Sequence, residues 1–351
     1  MDSSELIFLG CYTGESGGKG EGVTAVRRDP RTGGLSRVGV AAPTPSPSFL
    51  ARHPVLPVLY AANELDEGTV SAWEVDGDGG LTALAVEATG GAHPCHLAVT
   101  PDGRHLITAN YGSGSLAVHA LDDRGTPGRR CDLLTHDGRG PDPQRQDGPH
   151  AHMVAPEPHR SEVLAVDLGA DRVYRHRLDP VSGRLVPQGV AIQAAPGAGP
   201  RHLARHPDGR GMFLVAELDA TVTGYEPDPA DGRLREWARF AASGHPGSQP
   251  SEIVVSPDGR FLYVGNRGPD TVSVFALSED PPIPVAEVPS GGRWPRHFTV
   301  LGGYLYVANE RSHSVAIFRI DPETGIPHPA GAPLDQGSPT CVLRWSPAYG
   351  R

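Results

Sequence analysis

The sequence predicts an all-β protein, a seven-bladed β-propeller in which each blade is a sheet of four antiparallel strands. A proline that opens a strand recurs at intervals of about 45–55 residues, the repeat length of propeller blades. Its copies are Pro47, Pro94, Pro149, Pro200, Pro250, Pro295 and Pro339. Further apolar strands and glycine-containing turns follow these prolines, and no segment reads as a long helix. We number the blades 1 to 7 after these seven prolines.

The clearest copy of the repeat is residues 250–277, which reads as a small antiparallel meander. Residues 251–255 are β-branched and apolar, the Pro-Asp-Gly at 257–259 has turn chemistry, and residues 261–265 and 271–277 form the second and third strands. One meander cannot bury both of its faces, but several stacked in series can. The pattern therefore predicts a repeat array.

The second strand of the repeat recurs in the first six blades and ends on an amide or an acid. These end residues are Asn63, Asn110, Asp167, Glu217, Asn266 and Asn309. Third strands begin at residues 69, 115, 172, 221 and 314, and most are followed by a turn that suits a hairpin with one residue at positive φ.

The two ends of the chain complete the seventh blade. The last copy has only its first strand, residues 340–345, while residues 6–40 hold three more strands. We therefore expect blade 7 to be closed by strands from both termini, which leaves only short, protected sheet edges. Because glycine and proline are spread along the chain and each blade contacts only its neighbours, we expect residues 1–351 to form a single domain.

Composition excludes several classes of partner. The formal net charge of −10 over 351 residues argues against nucleic-acid binding. The N-terminal segment lacks a positive region, and its apolar run is too short for a signal peptide or a membrane span. We expect a cytoplasmic monomer without a membrane partner. The four cysteines have no metal-ligand spacing, and we expect buried free thiols at Cys11, Cys95, Cys131 and Cys341.

Polar residues are concentrated where first strands begin and second strands end, and both places lie on the same face of the disc. First strands begin with Cys95 and His96, His150 and His152, Arg201 and His202, Ser251 and Glu252, and Arg296 and His297. At the other position, Arg267 follows Asn266, and Glu310 and Arg311 follow Asn309. Histidine and arginine gathered at one mouth of the channel favour an anionic ligand.

Three consecutive blades, 3 to 5, contribute the strongest catalytic candidates, namely His150, His152, Arg201, Glu217 and Arg267. Glu217 or a histidine can deprotonate water, and an arginine can polarise a carbonyl or bind a carboxylate or phosphate. No Ser or Cys elbow motif is present, which argues against a covalent acyl-enzyme.

Structural roles compete with these functional ones. Asn recurs at the end of second strands, so it reads as a turn or capping residue, whereas Glu217 departs from that pattern and is the better functional candidate. His202 and His297 fit packing between blades equally well. A metal held by His150, His152 and Glu217 is a weaker alternative, because the two histidines would need a bulge to converge. We expect no metal and no cofactor.

The chain resembles the seven-bladed propeller lactonases, a family that includes bacterial 6-phosphogluconolactonases and fungal carboxymuconate cyclases. The resemblance covers essentially the whole chain and is most specific in Arg-Gln-Asp-Gly-Pro-His-Ala-His at 145–152, with Pro-Arg-His at 200–202, Glu217 and Asn-Arg at 266–267. It implies that water opens a sugar lactone, with 6-phosphogluconolactone as the first candidate, and that no dissociable cofactor takes part.

The resemblance also implies roles for individual residues. Arg201 and Arg267 would hold the lactone carbonyl or an anionic tail, Glu217 would act as general base, and His150 or His152 would orient water or donate to the leaving oxygen. Six further residues are candidates for substrate binding: Arg145, His96, His202, Asn266, Arg296 and His297.

Residues 125–147, between blades 2 and 3, form the longest segment between blades and are expected to make a loop over the site that brings Arg145 to an anionic substrate. Two other functions stay open. The same residues could act on another lactone or cyclise a muconate-type substrate, or the propeller could be a non-catalytic binding scaffold, which would require an exposed apolar patch.

Overall fold

The computed structural model describes residues 4–158, 161–230 and 232–346; residues 1–3 and 347–351, at the ends of the expected domain, lie outside this range. Its strands are β1 (Glu5–Cys11), β2 (Val23–Arg28), β3 (Leu35–Ala42), β4 (Pro47–Arg52), β5 (Val58–Asn63), β6 (Thr69–Val75), β7 (Leu81–Ala88), β8 (Pro94–Val99), β9 (His105–Asn110), β10 (Ser115–Leu121), β11 (Pro127–Thr135), β12 (Ala151–Pro156), β13 (Glu162–Asp167), β14 (Arg172–Leu178), β15 (Leu185–Gln193), β16 (Pro200–Arg205), β17 (Met212–Ala216), β18 (Thr221–Pro227), β19 (Leu234–Ala241), β20 (Gln249–Val255), β21 (Phe261–Arg267), β22 (Thr271–Ala276), β23 (Ile283–Pro289), β24 (Pro295–Leu301), β25 (Tyr304–Asn309), β26 (Ser314–Ile320), β27 (Pro327–Pro329), β28 (Leu334–Asp335) and β29 (Pro339–Trp345). Short 3-10 turns occupy Gly14–Ser16 and Glu310–Ser312.

These strands form seven antiparallel sheets arranged in a ring, as the repeat predicts. Blades 1 to 5 contain β4–β7, β8–β11, β12–β15, β16–β19 and β20–β23 in chain order from the channel outwards. In blade 6 the outer strand is split into β27 and β28, which both pair with β26. Blade 7 has the order β29-β1-β2-β3, so a C-terminal strand pairs with an N-terminal one and closes the ring as expected.

The burial pattern follows from stacking blade on blade. Second strands are covered on both faces, so β5 and β9 are buried at every position. Outer strands have one face against a neighbour and one in water, so β7 contains partly buried and exposed residues but no fully buried one.

A repeated polar contact locks neighbouring blades together. Buried tyrosines of second strands donate hydrogen bonds to glycine carbonyls in the outer turn of the next blade. The pairs are Tyr60 Oη to Gly125 O (2.6 Å), Tyr263 Oη to Gly325 O (2.9 Å) and Tyr306 Oη to Gly33 O (2.9 Å). Each such bond contributes about 1 kcal/mol of net stability.

Two details differ from the sequence prediction. Pro127–Thr135 form β11, the outer strand of blade 2, so the loop expected over residues 125–147 begins only at residue 136. The expected strand opening at Pro149 is also wrong, because β12 starts at Ala151 and Ala151 pairs with Asp167 as Pro94 pairs with Asn110. His150 therefore precedes its strand.

The cysteines are free thiols, as expected, and three of the four are buried. The buried ones are Cys11, Cys95 and Cys341, and Cys131 is half-buried. Within the described ranges, no helix is long and apolar enough to cross a membrane.

Candidate active site

Strand register defines a ring of seven equivalent residues at one mouth of the channel. The residue paired with each opening proline, or with Ala151 in blade 3, lies at or next to the end of the second strand, as Asn63 does opposite Pro47. The residue that follows it defines the mouth ring: Tyr12, Glu64, Tyr111, Leu168, Glu217, Arg267 and Glu310.

This register corrects the interpretation of Glu217. Pro200 pairs with Ala216, so Ala216 occupies the position held by Asn in other blades, and Glu217 lies one residue beyond it. Glu217 is therefore the counterpart of Glu64 in blade 1 and does not replace an asparagine.

A β-bulge after the opening residue of the inner strand creates two further rings. The bulge leaves one residue out of register, and these residues define the middle ring: Ser48, Cys95, His152, Arg201, Ser251, Arg296 and Thr340. The next residues along define the channel ring: Phe49, His96, Met153, His202, Glu252, His297 and Cys341. The middle ring and the channel ring thus consist of consecutive residues of the same inner strands.

The Glu217 carboxylate is held by three guanidinium groups. Oε1 lies 2.6 Å from Nη2 of Arg145, and Oε2 lies 2.6 Å from Nη2 of Arg267 and 3.2 Å from Nε of Arg201. Burial alone would raise the pKa of Glu217, but Arg267, Arg201 and Arg145 outweigh burial and lower that pKa to about 2. Burial, followed by repulsion from Arg267, lowers the pKa of Arg201 to about 10.

Arg145 reaches Glu217 from the loop between blades 2 and 3. The neighbouring Gln146 is fully buried and donates to Leu168 O (2.9 Å) and Asp171 Oδ1 (2.7 Å), which ties the loop to blade 3. The Arg145 guanidinium also contacts Tyr111 Oη at 3.2 Å. The loop thus lies at the mouth, with the Arg145 side chain 35% exposed.

A buried network holds the two ends of this loop. The Asp167 carboxylate is 2.7 Å from Nδ1 of His136, where the loop starts, and accepts from the backbone N–H of His150, where the loop ends (2.8 Å). Nε2 of His136 lies 3.3 Å from Nε2 of His176.

A second polar cluster lies on the opposite side of the mouth, in blades 6, 7 and 1. Tyr12 Oη donates to Glu64 Oε1 (2.8 Å), and the Tyr12 ring packs 4.7 Å from the Arg296 guanidinium. Arg296 also lies 3.5 Å from Glu64 Oε2 and 3.8 Å from Glu310 Oε2. Burial opposes the charge of Arg296, but Tyr12, Glu64 and Glu310 together raise its pKa.

Below the mouth, aromatic side chains from non-adjacent blades meet at the axis. The ring of His202 lies 5.5 Å from His96 and 5.2 Å from His152, and Phe49 packs 5.6 Å from His297. Burial lowers the pKa of all four histidines, so they are neutral at pH 7. Because such contacts require the side chains to cross the channel, they form a floor to the site.

Glu252 is the acidic member of this floor. Its Oε2 lies 3.1 Å from Nδ1 of His202 and 3.6 Å from Nε2 of His297. Burial raises the pKa of Glu252, although His297 and Arg201 partly oppose that effect.

The structure brings together four predicted residues, Arg145, Arg201, Glu217 and Arg267, in direct contact. His152 and His202 lie beneath them, and His96 and His297 complete the floor. Three predicted residues lie elsewhere. His150 is at the rim, stacked on Tyr111 at 4.7 Å; Arg296 belongs to the second cluster; Asn266 is fully buried and donates to Ser273 Oγ (2.9 Å) within blade 5.

Sequence reasoning missed Tyr12, Glu64 and Tyr111. The signal was available, since Glu64 and Tyr111 directly follow the repeated asparagines of blades 1 and 2, as Arg267 follows Asn266 in blade 5. For the metal alternative, the described part of the chain contains no group of three His, Cys, Asp or Glu side chains placed to hold an ion.

A family model and individual sequence relatives point to the same protein family. Residues 6–344 match the family model described as "Lactonase, 7-bladed beta-propeller". The chain is 34% identical over 348 residues to the 6-phosphogluconolactonase of Bacillus subtilis (strain 168), covering 95% of this chain and 97% of the relative. It is 28% identical over 333 residues to a 6-phosphogluconolactonase of Formosa agariphila, covering 91% and 93%.

A solved structure agrees with these sequence relatives. The periplasmic gluconolactonase of Pseudomonas aeruginosa is 29% identical and has a TM-score of 0.89, with 98% of this chain and 99% of that chain covered. The family match spans nearly the whole propeller, including the strands that carry all three rings. The chain therefore belongs to the family of seven-bladed β-propeller lactonases.

Proposed function

We propose that this lactonase hydrolyses a sugar lactone, with 6-phosphogluconolactone as the first substrate to test, by attack of water at the channel mouth. The observation that carries the proposal is the group of Arg145, Arg201 and Arg267 around the single carboxylate of Glu217. Three cations against one anion leave an excess of positive charge, which attracts an anionic substrate and stabilises a developing oxyanion. The activities named for the B. subtilis and F. agariphila relatives support the same substrate.

We assign different roles to Arg145 and Arg201 because their side chains differ in solvent exposure. Arg145 is 35% exposed, so it is the guanidinium that meets an incoming phosphate or carboxylate first. Arg201 is 3% exposed and anchored by a 2.5 Å hydrogen bond from Nη1 to Ser251 O. We assign Arg201 to the lactone carbonyl oxygen, because a rigid buried donor stabilises charge with little reorganisation.

Glu217 acts as the base after substrate binds. With three arginine partners its pKa is about 2, too low for efficient proton abstraction at neutral pH. A substrate anion that takes Arg145 and Arg267 as partners removes part of this stabilisation and raises the basicity of Glu217. Water then transfers its proton to Glu217 as its oxygen bonds to the carbonyl carbon; collapse of the intermediate breaks the ring C–O bond, and the ring oxygen takes up a proton.

His152 is a better candidate than His150 for contact with substrate. Both ring nitrogens of His150 are engaged, Nδ1 with Tyr111 O (2.9 Å) and Nε2 with Asp147 Oδ1 (3.2 Å). Nδ1 of His152 is buried and has no hydrogen-bond partner among the described residues. Burial keeps His152 neutral, so it orients water or donates a hydrogen bond to the leaving oxygen.

A non-phosphorylated sugar lactone is the second candidate. The activity named for the P. aeruginosa neighbour is gluconolactonase, and that name does not require a phosphate. The same residues would hydrolyse this substrate, and Arg145 would then have no phosphate to bind.

The deciding experiment measures hydrolysis of freshly generated 6-phosphogluconolactone beside gluconolactone, with and without a chelator. Wild type is compared with Glu217→Gln, Arg267→Ala and the exposed control Glu236→Gln. Fast, chelator-insensitive hydrolysis that prefers the phosphorylated substrate and is lost in the first two variants is expected. Rates no faster than spontaneous hydrolysis with both lactones would overturn the proposal and direct attention to carboxylated lactones and muconates.

We also propose that the protein is a cytoplasmic monomer. A phosphorylated substrate would be retained inside the cell, and a closed propeller leaves only short, protected sheet edges. Cell fractionation and light scattering after size exclusion test the two statements, and a periplasmic fraction would favour the gluconolactone alternative.

A further inference from the structure

The three rings contain an unusual concentration of buried polar atoms that form no hydrogen bond. Among the described residues, seven of the fourteen such atoms belong to the three rings. They are Ser48 Oγ, Glu64 Oε2, His152 Nδ1, Arg201 Nε, His202 Nε2, Glu310 Oε2 and Thr340 Oγ1. Three of these atoms do take part in ion pairs: Arg201 Nε with Glu217, and the Oε2 atoms of Glu64 and Glu310 with Arg296. Buried polar atoms that form no hydrogen bond are rare and cost stability, so their concentration in the rings points to a ligand or ordered water that completes them.

The atoms that form no hydrogen bond differ in chemistry from blade to blade. Blades 3 and 4 carry His152 and the arginine Arg201, whereas blades 6, 7 and 1 carry two carboxylates, Glu310 and Glu64, with the hydroxyl of Thr340. Carboxylates are acceptors only, and hydroxyls both donate and accept. The second cluster is therefore matched to a ligand that offers hydroxyl hydrogens.

The second cluster occupies the same rings as the residues around Glu217. Glu64 and Glu310 occupy the same mouth-ring level as Glu217, and Arg296 occupies the same middle-ring level as Arg201. The Glu64 and Glu310 side chains are 16% and 17% exposed, so each has some surface at the mouth, although its Oε2 atom is buried. The substrate pose that a subsite here requires has the reacting carbonyl near Arg201 and the hydroxyl-bearing carbons towards Glu64 and Glu310.

We infer that Glu64 and Glu310 form a hydroxyl-recognising subsite that selects polyhydroxylated lactones, and that Tyr12 and Arg296 hold Glu64 in place for this role. The inference rests on the proposed lactonase function and deepens it. In this subsite each substrate hydroxyl donates a hydrogen bond to a carboxylate oxygen. Because a hydroxyl is neutral, the negative charges of Glu64 and Glu310 do not repel it. A second carboxylate at the same place, as in a muconate-type substrate, would be repelled by the two acids.

Two substrate pairs test the subsite. Gluconolactone and δ-valerolactone share the six-membered lactone ring but differ in hydroxyl groups, so the ratio of their kcat/KM values reports hydroxyl recognition. Gluconate and hexanoate form the matched non-reacting pair, and calorimetry measures their binding without any chemistry. The variants are Glu64→Gln and Glu310→Gln, with the exposed Glu323→Gln in blade 6 as control.

We expect Glu310→Gln and Glu64→Gln each to lower the gluconolactone/valerolactone ratio about tenfold, the usual scale for one hydrogen bond to a charged group. The preference for gluconate over hexanoate should fall in parallel, while Glu323→Gln keeps both ratios. Thermal melts identify any variant that fails to fold. Glu310 lies 3.8 Å from its nearest cation, so its replacement should disturb the fold less than replacement of Glu64.

The outcomes separate the two proposals. If the protein binds gluconate more tightly than hexanoate but hydrolyses neither lactone, the lactonase function is overturned and the subsite is supported. Equal affinity of wild type for gluconate and hexanoate, no measurable binding of either, or an unchanged selectivity ratio in both variants overturns the subsite. An equal loss on both lactones in each variant would assign the two acids a structural role and overturn it as well.

Discussion

Nη2 of Arg145 donates a 2.6 Å hydrogen bond to Oε1 of Glu217 across 72 residues of sequence. The contact joins a loop between blades 2 and 3 to the mouth ring of blade 4. Under the proposed function, a substrate anion competes with Glu217 for this guanidinium, which would couple substrate binding to the basicity of Glu217.

Removal of Arg145 should weaken selection for a charged substrate. We expect Arg145→Ala to raise KM for 6-phosphogluconolactone about tenfold, because a charge-assisted hydrogen bond contributes about 1.5–3 kcal/mol, with a smaller effect on gluconolactone. Arg139→Ala is the matched control, since Arg139 is an exposed residue of the same loop. Equal effects of Arg145→Ala on both substrates would show that the loop does not read the phosphate.

Replacement of Glu217 should remove the base. Glu217→Gln is expected to lower kcat by about 10²–10⁴-fold, the range for general base catalysis. In wild type, kcat/KM reports the free enzyme, where the pKa of Glu217 is about 2, and kcat reports the complex.

The two pH profiles should therefore differ. The acid limb of kcat is expected at higher pH than that of kcat/KM, because substrate removes arginine partners from Glu217. Coincident limbs, or an unchanged kcat in Glu217→Gln beside the control Glu236→Gln, would contradict the role of base.

Stability should fall in mild acid because buried histidines resist protonation. Burial lowers the pKa of His53, His96, His105, His119, His152, His176, His202 and His297. For His176 the value falls from 6.5 to about 4. The unfolded chain then binds more protons than the fold, so stability is present above pH 6.5 and is lost as the pH falls towards 4.

Urea unfolding at several pH values measures this effect. His176→Gln should reduce the loss between pH 7 and pH 4 by up to about 3 kcal/mol, since one pKa unit is equivalent to about 1.4 kcal/mol. A variant that loses stability as steeply as wild type would show that His176 is protonated without penalty.

Gly114 supports both ends of the Arg145 loop. Its carbonyl accepts from the His136 N–H (2.9 Å), its φ is +57°, and an added Cβ would lie 2.3 Å from Pro149 O. Gly114→Ala should destabilise the fold by about 1–3 kcal/mol and lower activity by displacing the loop. Gly128→Ala is the control, because a Cβ there makes only an ordinary 3.7 Å contact. Melting curves of the two variants measure the difference in stability, and equal melting temperatures would contradict the role of Gly114.

Much of the fold could be predicted because each blade repeats local chemistry. The second strand expected at 261–265 is found as Phe261–Arg267, and the third expected at 271–277 is found as Thr271–Ala276. Alternating burial, turn residues and the proline spacing are all properties of short segments, so they are readable without knowing the fold.

Register was less accessible to sequence reasoning. Alignment of residues 213–217 with the other second strands placed Glu217 on an asparagine position, but pairing with Pro200 places Ala216 there. Likewise, Pro149 resembles a strand opening while the strand begins at Ala151. Register depends on hydrogen bonds between two strands and on bulges, and a one-residue error changes which face a side chain occupies.

By itself, the sequence determined that this protein is a closed array of seven blades with a polar, arginine-rich and histidine-rich mouth. Local periodicity and turn chemistry suffice for that conclusion. Only the tertiary structure decided that Arg145 and Glu217 meet and that Tyr12, Glu64 and Arg296 form a separate cluster on the other side of the mouth. These contacts join residues far apart in sequence, and they exist only because ring closure and the bulges bring the blade ends to a common axis.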